Sequence, residues 1–328
     1  MQIALVTGLL CFLLCAGTAR GGDAAPQASP SELVDAFKGV FGPQTHGRAI
    51  HAKGIVLEGS FTPYEGAKRL SKAAHFQGTT VPVTVRFSSF AGIPAIDDRD
   101  PLATPRGLAV RFHLPDGSET DIVTHSFNGF PSATADEFRA LLLALGASGP
   151  GTPSPTPAEA FMAAHPTAKA FFAGLPPPPV SFGTLAYYGV NSFRFTNAKG
   201  QREFGRYQVI PDLGAQLLPA EAVAKASPDY LETEIRERVA SGPVTFRLQV
   251  QLSGKGDAIE NPSVAWPADR RIVALGSLTV TGVVADSDAE ERALLFMPSA
   301  VIDGIEPADP MIAARSAAYA VSYQRRHP

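Results

Sequence analysis

Residues 81–88 read Val-Pro-Val-Thr-Val-Arg-Phe-Ser, in which an apolar side chain occupies every second position. This alternation predicts a β-strand with one buried face. The four apolar side chains share that face, which places Arg86 and Ser88 together on the opposite one. The strand is therefore predicted to contribute to an apolar core and to present two polar groups on its other side.

Comparable patterns flank this strand in the sequence. Leu108–Leu114 alternates in the same way, and the turn signal at residues 115–117 returns the chain through Thr120–Val123 as a hairpin. Further strands are predicted at residues 50–61, 192–195, 202–209, 244–252 and 276–283. About eight antiparallel strands in one chain tend to close into a barrel, because closure removes exposed strand edges.

Helix-start signals lie between the predicted strands. They occur at Thr134–Glu137, Thr156–Glu159 and Ser227–Pro228. The first opens a predicted helix with Phe138 in its apolar stripe, and the Pro-rich stretches 148–157 and 176–179 are interpreted as loops. The predicted fold class is α+β, a closed antiparallel β-barrel of about eight strands with surrounding helices. A single domain is expected over residues 29–328.

The composition is compatible with a globular enzyme. The 328 residues are 45% hydrophobic and 18% charged, which is enough to bury one large core or two modest ones. A formal net charge of -3 and a pI near 6.2 provide no electrostatic attraction to nucleic acid or to an anionic membrane. Neither is expected as a partner, and no membrane span is predicted.

The N-terminal residues predict export. Residues 3–14 form an apolar run too short to span a bilayer, and small residues at 16–19 suit a signal-peptidase site. We interpret residues 1–19 as a cleaved export signal and residues 20–28 as a disordered linker. The mature protein is expected in the periplasm, with secretion as the alternative. A buried N-terminal helix stays open, because no Lys or Arg precedes the apolar run.

Both cysteines, Cys11 and Cys15, lie within the predicted signal. The mature protein is therefore expected to have no thiols, disulfides or cysteine metal sites. Lipid attachment at Cys15 is a minor alternative, because Leu14 stands where a small residue would be expected.

Tyr319 is the leading candidate for chemistry. It lies four residues after Arg315, a spacing that places both side chains on one face of a helix. A phenol with a reference pKa of about 10 is a poor anionic ligand at neutral pH. A fixed positive charge together with a bound ferric ion would hold it as a phenolate. The alternative is that the two side chains pack on each other at a surface.

His51 is a second candidate, because an imidazole moves protons near pH 7. In the predicted strand 50–61 it shares parity with Ile55 and Leu57, and it is expected to point towards an interior. A histidine in that position can instead be a core residue whose ring nitrogens are satisfied by one donor and one acceptor.

Together these motifs resemble the haem catalase superfamily, in particular its shorter catalase-related peroxidases. The resemblance is carried in consistent order by residues 48–54, 86–88, 99–101, 105–112, 121–123, 188–195, 265–267, 276–278 and 304–319. It implies a catalase-like barrel core that binds haem b. Because the chain stops soon after Arg326, the long N-terminal arm, wrapping region and C-terminal helical domain of larger catalases are expected to be missing.

The resemblance implies roles for residues on both sides of the haem. Tyr319 would be the proximal axial ligand of the iron, and Arg315 would hold it as a phenolate. His51 would be the distal general acid and base, taking a proton from one peroxide oxygen and returning it to the other. Ser88 would orient the His51 ring through a hydrogen bond.

The resemblance also implies contacts with the rest of the cofactor. Arg48, Arg86 and Arg326 match positions that pair with haem propionates, which need cations when they are buried. Phe138 matches an aromatic residue that packs on the porphyrin.

Two positions depart from the family pattern. Where catalases have a distal asparagine, Ser126 is expected, and Asn128 is the alternative if the loop is shifted locally. A serine donates one hydrogen bond from a shorter arm, so peroxide would be positioned differently. Asn191 stands where the family usually has a histidine.

The function that these observations predict is a haem peroxidase. It would reduce hydrogen peroxide or organic hydroperoxides with a small organic electron donor, and a shorter shell around the haem predicts weak or absent catalase activity. The alternatives are a fatty-acid hydroperoxide isomerase on the same fold and a haem-binding or sensing protein without turnover. A homo-oligomer stays open.

Overall fold

The structure is a computed structural model that describes residues 28–43 and 47–327. The predicted export signal, both cysteines and nearly all of the predicted linker lie outside these residues. Within the described ranges, each helix is too short or too polar to cross a bilayer.

A closed β-barrel forms the centre of the described chain. Its strands and their extensions are β1 Gly54–Pro63, β2 Val81–Ser88, β3 Gly107–His113, β4 Glu119–His125, β5 Tyr187–Tyr188, β6 Phe193–Thr196, β7 Arg202–Pro211, β8 Val244–Leu252, β9 Ile272–Val283 and β10 Ile305–Pro307. Because β7 pairs with β8 as well as with β5, eight strands close into a ring in the order β7-β5-β4-β3-β2-β1-β9-β8. Strands β6 and β10 extend the sheet beside β7. The prediction of a closed antiparallel barrel is confirmed.

The barrel interior holds the main apolar core. The four apolar side chains of β2 point inwards and are at most 2% exposed. They pack with inward side chains of the neighbouring strands, such as Leu57 of β1 and Leu108 of β3. Arg86 and Ser88 have the opposite parity and point outwards, as the alternation predicts. The outer face of β2–β4 is therefore available for polar groups.

Helices surround the barrel. They are α1 Pro30–Phe41, α2 Ala67–Leu70, α3 Ala135–Gly146, α4 Pro157–Ala164, α5 Pro166–Ala173, α6 Ala220–Lys225, α7 Tyr230–Ser241, α8 Ser287–Ala293 and α9 Met311–Arg326. The predicted starts at Thr134 and Thr156 are observed, since each hydroxyl accepts a hydrogen bond from the backbone N–H three residues later. Helix α1 packs against both α3 and α9, so these three helices form a layer of their own.

The segment before β1 differs from the prediction. The strand begins at Gly54 rather than at Ile50, and His51 has a φ of 55°, a left-handed conformation that is uncommon outside glycine. Its N–H donates to the Phe90 carbonyl at 2.7 Å. Ile55 faces the interior as predicted, but His51 does not share that face. The parity argument was wrong for His51 because it assumed an extended backbone.

Candidate active site

One cavity of about 850 Å³ lies between the outer face of β2–β4 and the layer of α1, α3 and α9. Its lining includes all eight residues for which a site role was predicted: Arg48, His51, Arg86, Ser88, Phe138, Arg315, Tyr319 and Arg326. These residues come from the segment before β1, from β2, from α3 and from α9. The fold thus brings to one place side chains that are as far apart in the sequence as the two ends of the domain.

Helix α9 supplies one wall through Arg315 and Tyr319. The guanidinium donates to the phenol oxygen at 2.9 Å, as the four-residue spacing predicts. A second guanidinium nitrogen donates to the amide oxygen of Asn191. The Asn191 amide nitrogen donates to Asp309 at 2.7 Å, and Asp309 accepts from the N–H of Met311 at 2.9 Å. The phenol therefore lies at the end of a series of hydrogen-bonded side chains, and this series is anchored at the start of the helix that carries the phenol.

Asp309 belongs to this hydrogen-bonded series, although the sequence analysis did not identify it as a site residue. It is buried, and burial raises the pKa of its carboxyl against the hydrogen bond from Asn191. Its acceptor oxygens orient the amide, since only the amide nitrogen can donate to them. The amide oxygen is then directed to Arg315. Helical spacing could not have shown this, because Asp309 precedes α9 and Asn191 lies in a distant loop.

The segment before β1 and strand β2 supply the distal pair. His51 Nδ1 and the Ser88 hydroxyl are 3.0 Å apart. The imidazole packs edge-on against the Phe90 ring, with 5.6 Å between the centroids. Burial, followed by the charge of Arg86, holds the pKa of His51 well below its usual range. The imidazole is therefore neutral at neutral pH and can accept a proton.

Gly107 on β3 makes room for this pair. A Cβ at this position would lie 2.4 Å from the Ser88 hydroxyl oxygen and 2.9 Å from His51 Nδ1. Both distances are below van der Waals contact, so a side chain here would displace the imidazole. Gly107 is thus part of the site, although the sequence showed it only as one residue of a motif.

The structure does not place Ser126 or Asn128 in the distal wall. Ser126 has the parity of the barrel interior, and its hydroxyl accepts from the Arg106 N–H at 2.8 Å. Its predecessor His125, on the outer face of β4, lines the cavity instead. The expectation for Ser126 was in error by one residue, and in a strand one residue changes the face.

Three arginines form a cationic end of the cavity. Arg86 and Arg48 both bind the carboxylate of Glu291 on α8, and the Arg48 to Glu291 distance is 3.2 Å. Arg48 and Arg326 also donate to the Leu294 carbonyl oxygen. Burial lowers the pKa of Arg48 to about 9 and that of Arg326 to about 10. One carboxylate among three guanidinium groups leaves two positive charges without a partner, which suits a dianion.

Aromatic side chains form the opposite, apolar part of the cavity. Phe138 packs against Phe37 at 5.6 Å and against Phe130 at 4.8 Å, measured between ring centroids. All three line the cavity. A flat apolar group can be held between such rings and the barrel.

A barrel with a Tyr–Arg pair, a neutral imidazole and an arginine cluster around one apolar cavity defines a protein built to hold a flat, dianionic prosthetic group. The family model described as "Catalase" matches residues 44–327. The chain belongs to the catalase family, whose members bind haem, and it is an oxidoreductase of the haem peroxidase class.

Relatives along most of the chain are described as catalase-related peroxidases or catalases. A catalase-related peroxidase of Mycolicibacterium paratuberculosis is 35% identical over 91% of this chain and 95% of its own length. A catalase-related peroxidase of Synechococcus elongatus is 32% identical over 98% of this chain and 96% of its own length. The catalase of Rattus norvegicus is 29% identical over 85% of this chain, but that share is only 56% of the rat protein.

Solved catalases share the fold. A fungal catalase superposes with a TM-score of 0.75 at 20% identity, over 86% of this chain and 60% of the fungal chain. Catalase A from Saccharomyces cerevisiae gives the same TM-score over 85% of this chain and 61% of its own. The barrel and its helices thus correspond to the greater part of a catalase chain.

The residues present fit a haem. The arginine cluster has two positive charges in excess for two propionates, and the Nε of Arg326 is buried without a hydrogen-bond partner in the described residues. Phe138 and its neighbours provide an apolar wall for the porphyrin. Tyr319 offers an oxygen ligand that is already bonded to a guanidinium.

Proposed function

We propose that this protein is a haem b peroxidase that reduces hydrogen peroxide or organic hydroperoxides with a small organic electron donor, and that its catalase activity is weak or absent. The proposal rests on one observation above all. The Arg315–Tyr319 pair and the His51–Ser88 pair line the same cavity from different walls.

Tyr319 would hold a haem through its phenol oxygen, and that group would supply the electrons needed to cleave the peroxide O–O bond. The Arg315 guanidinium is fixed by the amide oxygen of Asn191 and donates a hydrogen bond to the Tyr319 phenol oxygen, so it orients that oxygen. The arginine cluster would hold the propionates of that group.

His51 handles the protons. Its neutral imidazole accepts a proton from one peroxide oxygen and returns it to the departing oxygen, which leaves as water from hydrogen peroxide or as an alcohol from an organic hydroperoxide. For this the Nδ1–H donates to the Ser88 hydroxyl, and Nε2 presents its lone pair to the cavity. The hydrogen bond to Ser88 holds the orientation of the imidazole ring.

The rim of the cavity supports an organic donor. Leu102 and Phe172 line it and are 50% and 39% exposed. Apolar side chains that are both exposed and part of a cavity wall provide a docking surface for an aromatic or aliphatic molecule.

The test begins with the absorption spectrum of the purified protein, in which ferric haem with a tyrosinate ligand has a high-spin signature. Peroxide-dependent oxidation of an aromatic donor is then compared with oxygen release from hydrogen peroxide. Donor oxidation should be the faster reaction. Oxygen release far above donor oxidation would contradict the proposal. Conversion of a fatty-acid hydroperoxide to an isomer without added donor would identify the isomerase alternative.

A further inference from the structure

A second tyrosine lies one helical turn beyond the candidate iron ligand. Tyr323 follows Tyr319 by four residues on α9, a spacing that makes the two side chains neighbours on the helix surface. Tyr319 and Arg326 line the cavity, whereas Tyr323 does not. Because these two residues are its neighbours at four and three positions, Tyr323 borders the cavity wall from outside.

The Tyr323 ring packs against the cationic end of the cavity. The guanidinium carbon of Arg326 lies 4.7 Å from the centroid of the ring, within the range of a cation–π contact. The same guanidinium donates to the Leu294 carbonyl and belongs to the arginine cluster that suits two propionates. Tyr323 is therefore next to both predicted attachment points of a haem, the phenol oxygen of Tyr319 and a guanidinium for a propionate.

On its other side Tyr323 leads towards solvent. The His327 ring stacks on it with 4.3 Å between the centroids and 30° between the planes. His327 Nδ1 is also 3.0 Å from the Tyr323 carbonyl oxygen. Tyr323 is partly exposed and His327 is exposed. Tyr319, Tyr323 and His327 thus form a row of rings at four-residue spacing that runs from the cavity to the protein surface.

Several other oxidisable rings are placed differently. Trp266 is 3% exposed and donates to the Ala258 carbonyl. Tyr187 and Tyr207 lie in the barrel core. Tyr64 is 44% exposed but does not line the cavity and follows β1 rather than lying on α9. Tyr323 combines partial exposure with a position beside Tyr319, which is the arrangement that can pass an electron between the cavity and the surface.

We propose that Tyr323 is a surface oxidation site for phenolic donors that are too large to enter the cavity. This inference rests on the proposed function and adds a second place at which a donor reacts. Cleavage of the peroxide O–O bond consumes two electrons and two protons, so each turnover needs two donor molecules that give one electron each.

Tyr323 gives one electron to the cofactor that peroxide has oxidised, and its phenol proton passes to water. The neutral tyrosyl radical then takes one hydrogen atom, an electron together with a proton, from a phenolic donor at the surface. Two such cycles return both electrons and both protons that the peroxide consumed. The donor leaves as a phenoxyl radical and Tyr323 is restored.

Radical trapping on the holoprotein tests the inference without a donor. Peroxide is added together with a nitroso spin trap, and the trapped residue is identified by peptide mass mapping. The wild type should carry the trap on Tyr323. Tyr323→Phe removes only the hydroxyl and keeps the ring against Arg326 and His327, and it should carry no trap at this position. Tyr64→Phe is the matched control and should keep the trap on Tyr323. A wild-type protein that is trapped only at other residues would overturn the inference.

Donor size provides the second readout. A phenol linked to a dextran polymer cannot enter the cavity, whereas a free phenol can. Tyr323→Phe should oxidise the linked phenol at least about tenfold more slowly than the wild type and the free phenol within about twofold of it. Tyr323→Trp, which restores an oxidisable ring, should recover part of the rate with the linked phenol. An equal loss with both donors would overturn the inference, because it would indicate a general defect.

The outcomes separate this inference from the function on which it rests. A wild-type protein that binds no haem, or that oxidises neither donor, overturns both. If the wild type oxidises both donors and Tyr323→Phe oxidises the linked phenol equally fast, the inference alone is wrong.

Discussion

His51 is positioned by its backbone as much as by its side chain. The left-handed conformation at φ 55° directs the ring away from the barrel interior and onto Gly107. Non-glycine residues seldom adopt this backbone conformation, and they keep it only where contacts with the surrounding structure fix it. Here the surroundings are the Phe90 carbonyl, which accepts the His51 N–H, and the Ser88 hydroxyl at Nδ1. Hydrogen bonds thus fix both the backbone and the imidazole ring of His51, the base of the proposed reaction.

The role of His51 as a base can be tested with His51→Gln. Glutamine keeps a polar side chain of similar length but cannot accept a proton at neutral pH. We expect kcat/KM for peroxide to fall by about 10²–10⁴ while the haem spectrum is retained. His113→Gln is the control, because His113 lies on the surface and does not line the cavity. Turnover that survives in His51→Gln with bound haem would show that another group moves the proton.

The space at Gly107 can be tested with Gly107→Ala. The added methyl group would meet both the Ser88 hydroxyl and the His51 ring, so the imidazole must shift. We expect peroxidase turnover to fall at least about tenfold and the protein to lose about 1–3 kcal/mol of unfolding free energy. Gly39→Ala in α1 has no atom within 4 Å of the new methyl group and should be neutral or stabilising. Equal turnover in the two variants would contradict the role of Gly107.

At the scale of elements, two helices at the end of the domain control the charge of the site. Helix α9 carries Arg315 and Tyr319 on one face and orients them through the loop residues Asn191 and Asp309. Helix α8 brings the carboxylate of Glu291 to the arginine cluster. Burial acts to raise the pKa of Glu291, but the charges and hydrogen bonds of Arg86 and Arg48 together outweigh it, so the pKa is lowered. The carboxylate is therefore ionised among the groups that would hold the propionates.

Glu291→Gln separates the effect of this carboxylate on the stability of the haem-free protein from its effect on haem binding. Without the carboxylate, three buried cations repel one another in the haem-free protein, which should lose about 3 kcal/mol of unfolding free energy. The same excess of charge should strengthen the binding of the propionates, so haem release to an acceptor protein should slow at least about tenfold. Glu290→Gln, at an exposed position on the same helix, should change neither quantity. Faster haem release in Glu291→Gln would show that Glu291 supports the haem instead.

At the scale of the whole molecule, three buried neutral histidines lie among the residues that the structure describes. His51 and His125 line the cavity, and His75 lies in the barrel core against Phe76 and Phe112. Burial lowers the pKa of both His75 and His125 to about 3. In the unfolded chain such groups titrate near 6.5. Their contribution to stability is therefore present above about pH 6.5 and is lost as the pH falls towards 3.

His75→Leu tests this dependence away from the site. A histidine that is buried and neutral in the folded protein takes up a proton on unfolding at low pH, which favours the unfolded state. One such residue therefore lowers the free energy of unfolding by about 2 kcal/mol at pH 5 relative to neutral pH. The leucine variant should gain that amount over the wild type between pH 7.5 and pH 5 in denaturant unfolding of the haem-free protein. His113→Gln serves as the surface control. A difference between His75→Leu and wild type that is constant with pH would contradict the assignment.

Some features of the fold and of the site could be predicted from the sequence, and others could not. The alternation at 81–88 and the spacing of Arg315 and Tyr319 are local patterns, and both are observed as predicted. Tyr319, Arg315 and His51 were candidates from their spacing and chemistry, and the resemblance to a family implied roles for all eight site residues. All eight line one cavity. Glu291 and Asp309 were missed, because an acidic residue acquires a role at this site only through partners that are distant in the sequence.

Strand parity and the face shared by a helical pair can be predicted from the sequence, because they depend on residues within two to four positions of one another. Which faces meet depends on contacts between elements that are distant along the chain. Ser88, Gly107 and His125 lie side by side on the outer face of the barrel because the pairing of β2 with β3 and of β3 with β4 sets the register of these three strands. The turn at His51 depends on the Phe90 carbonyl, a long-range contact that no local pattern contains. Neighbouring imidazoles in this cavity are therefore a consequence of strand register.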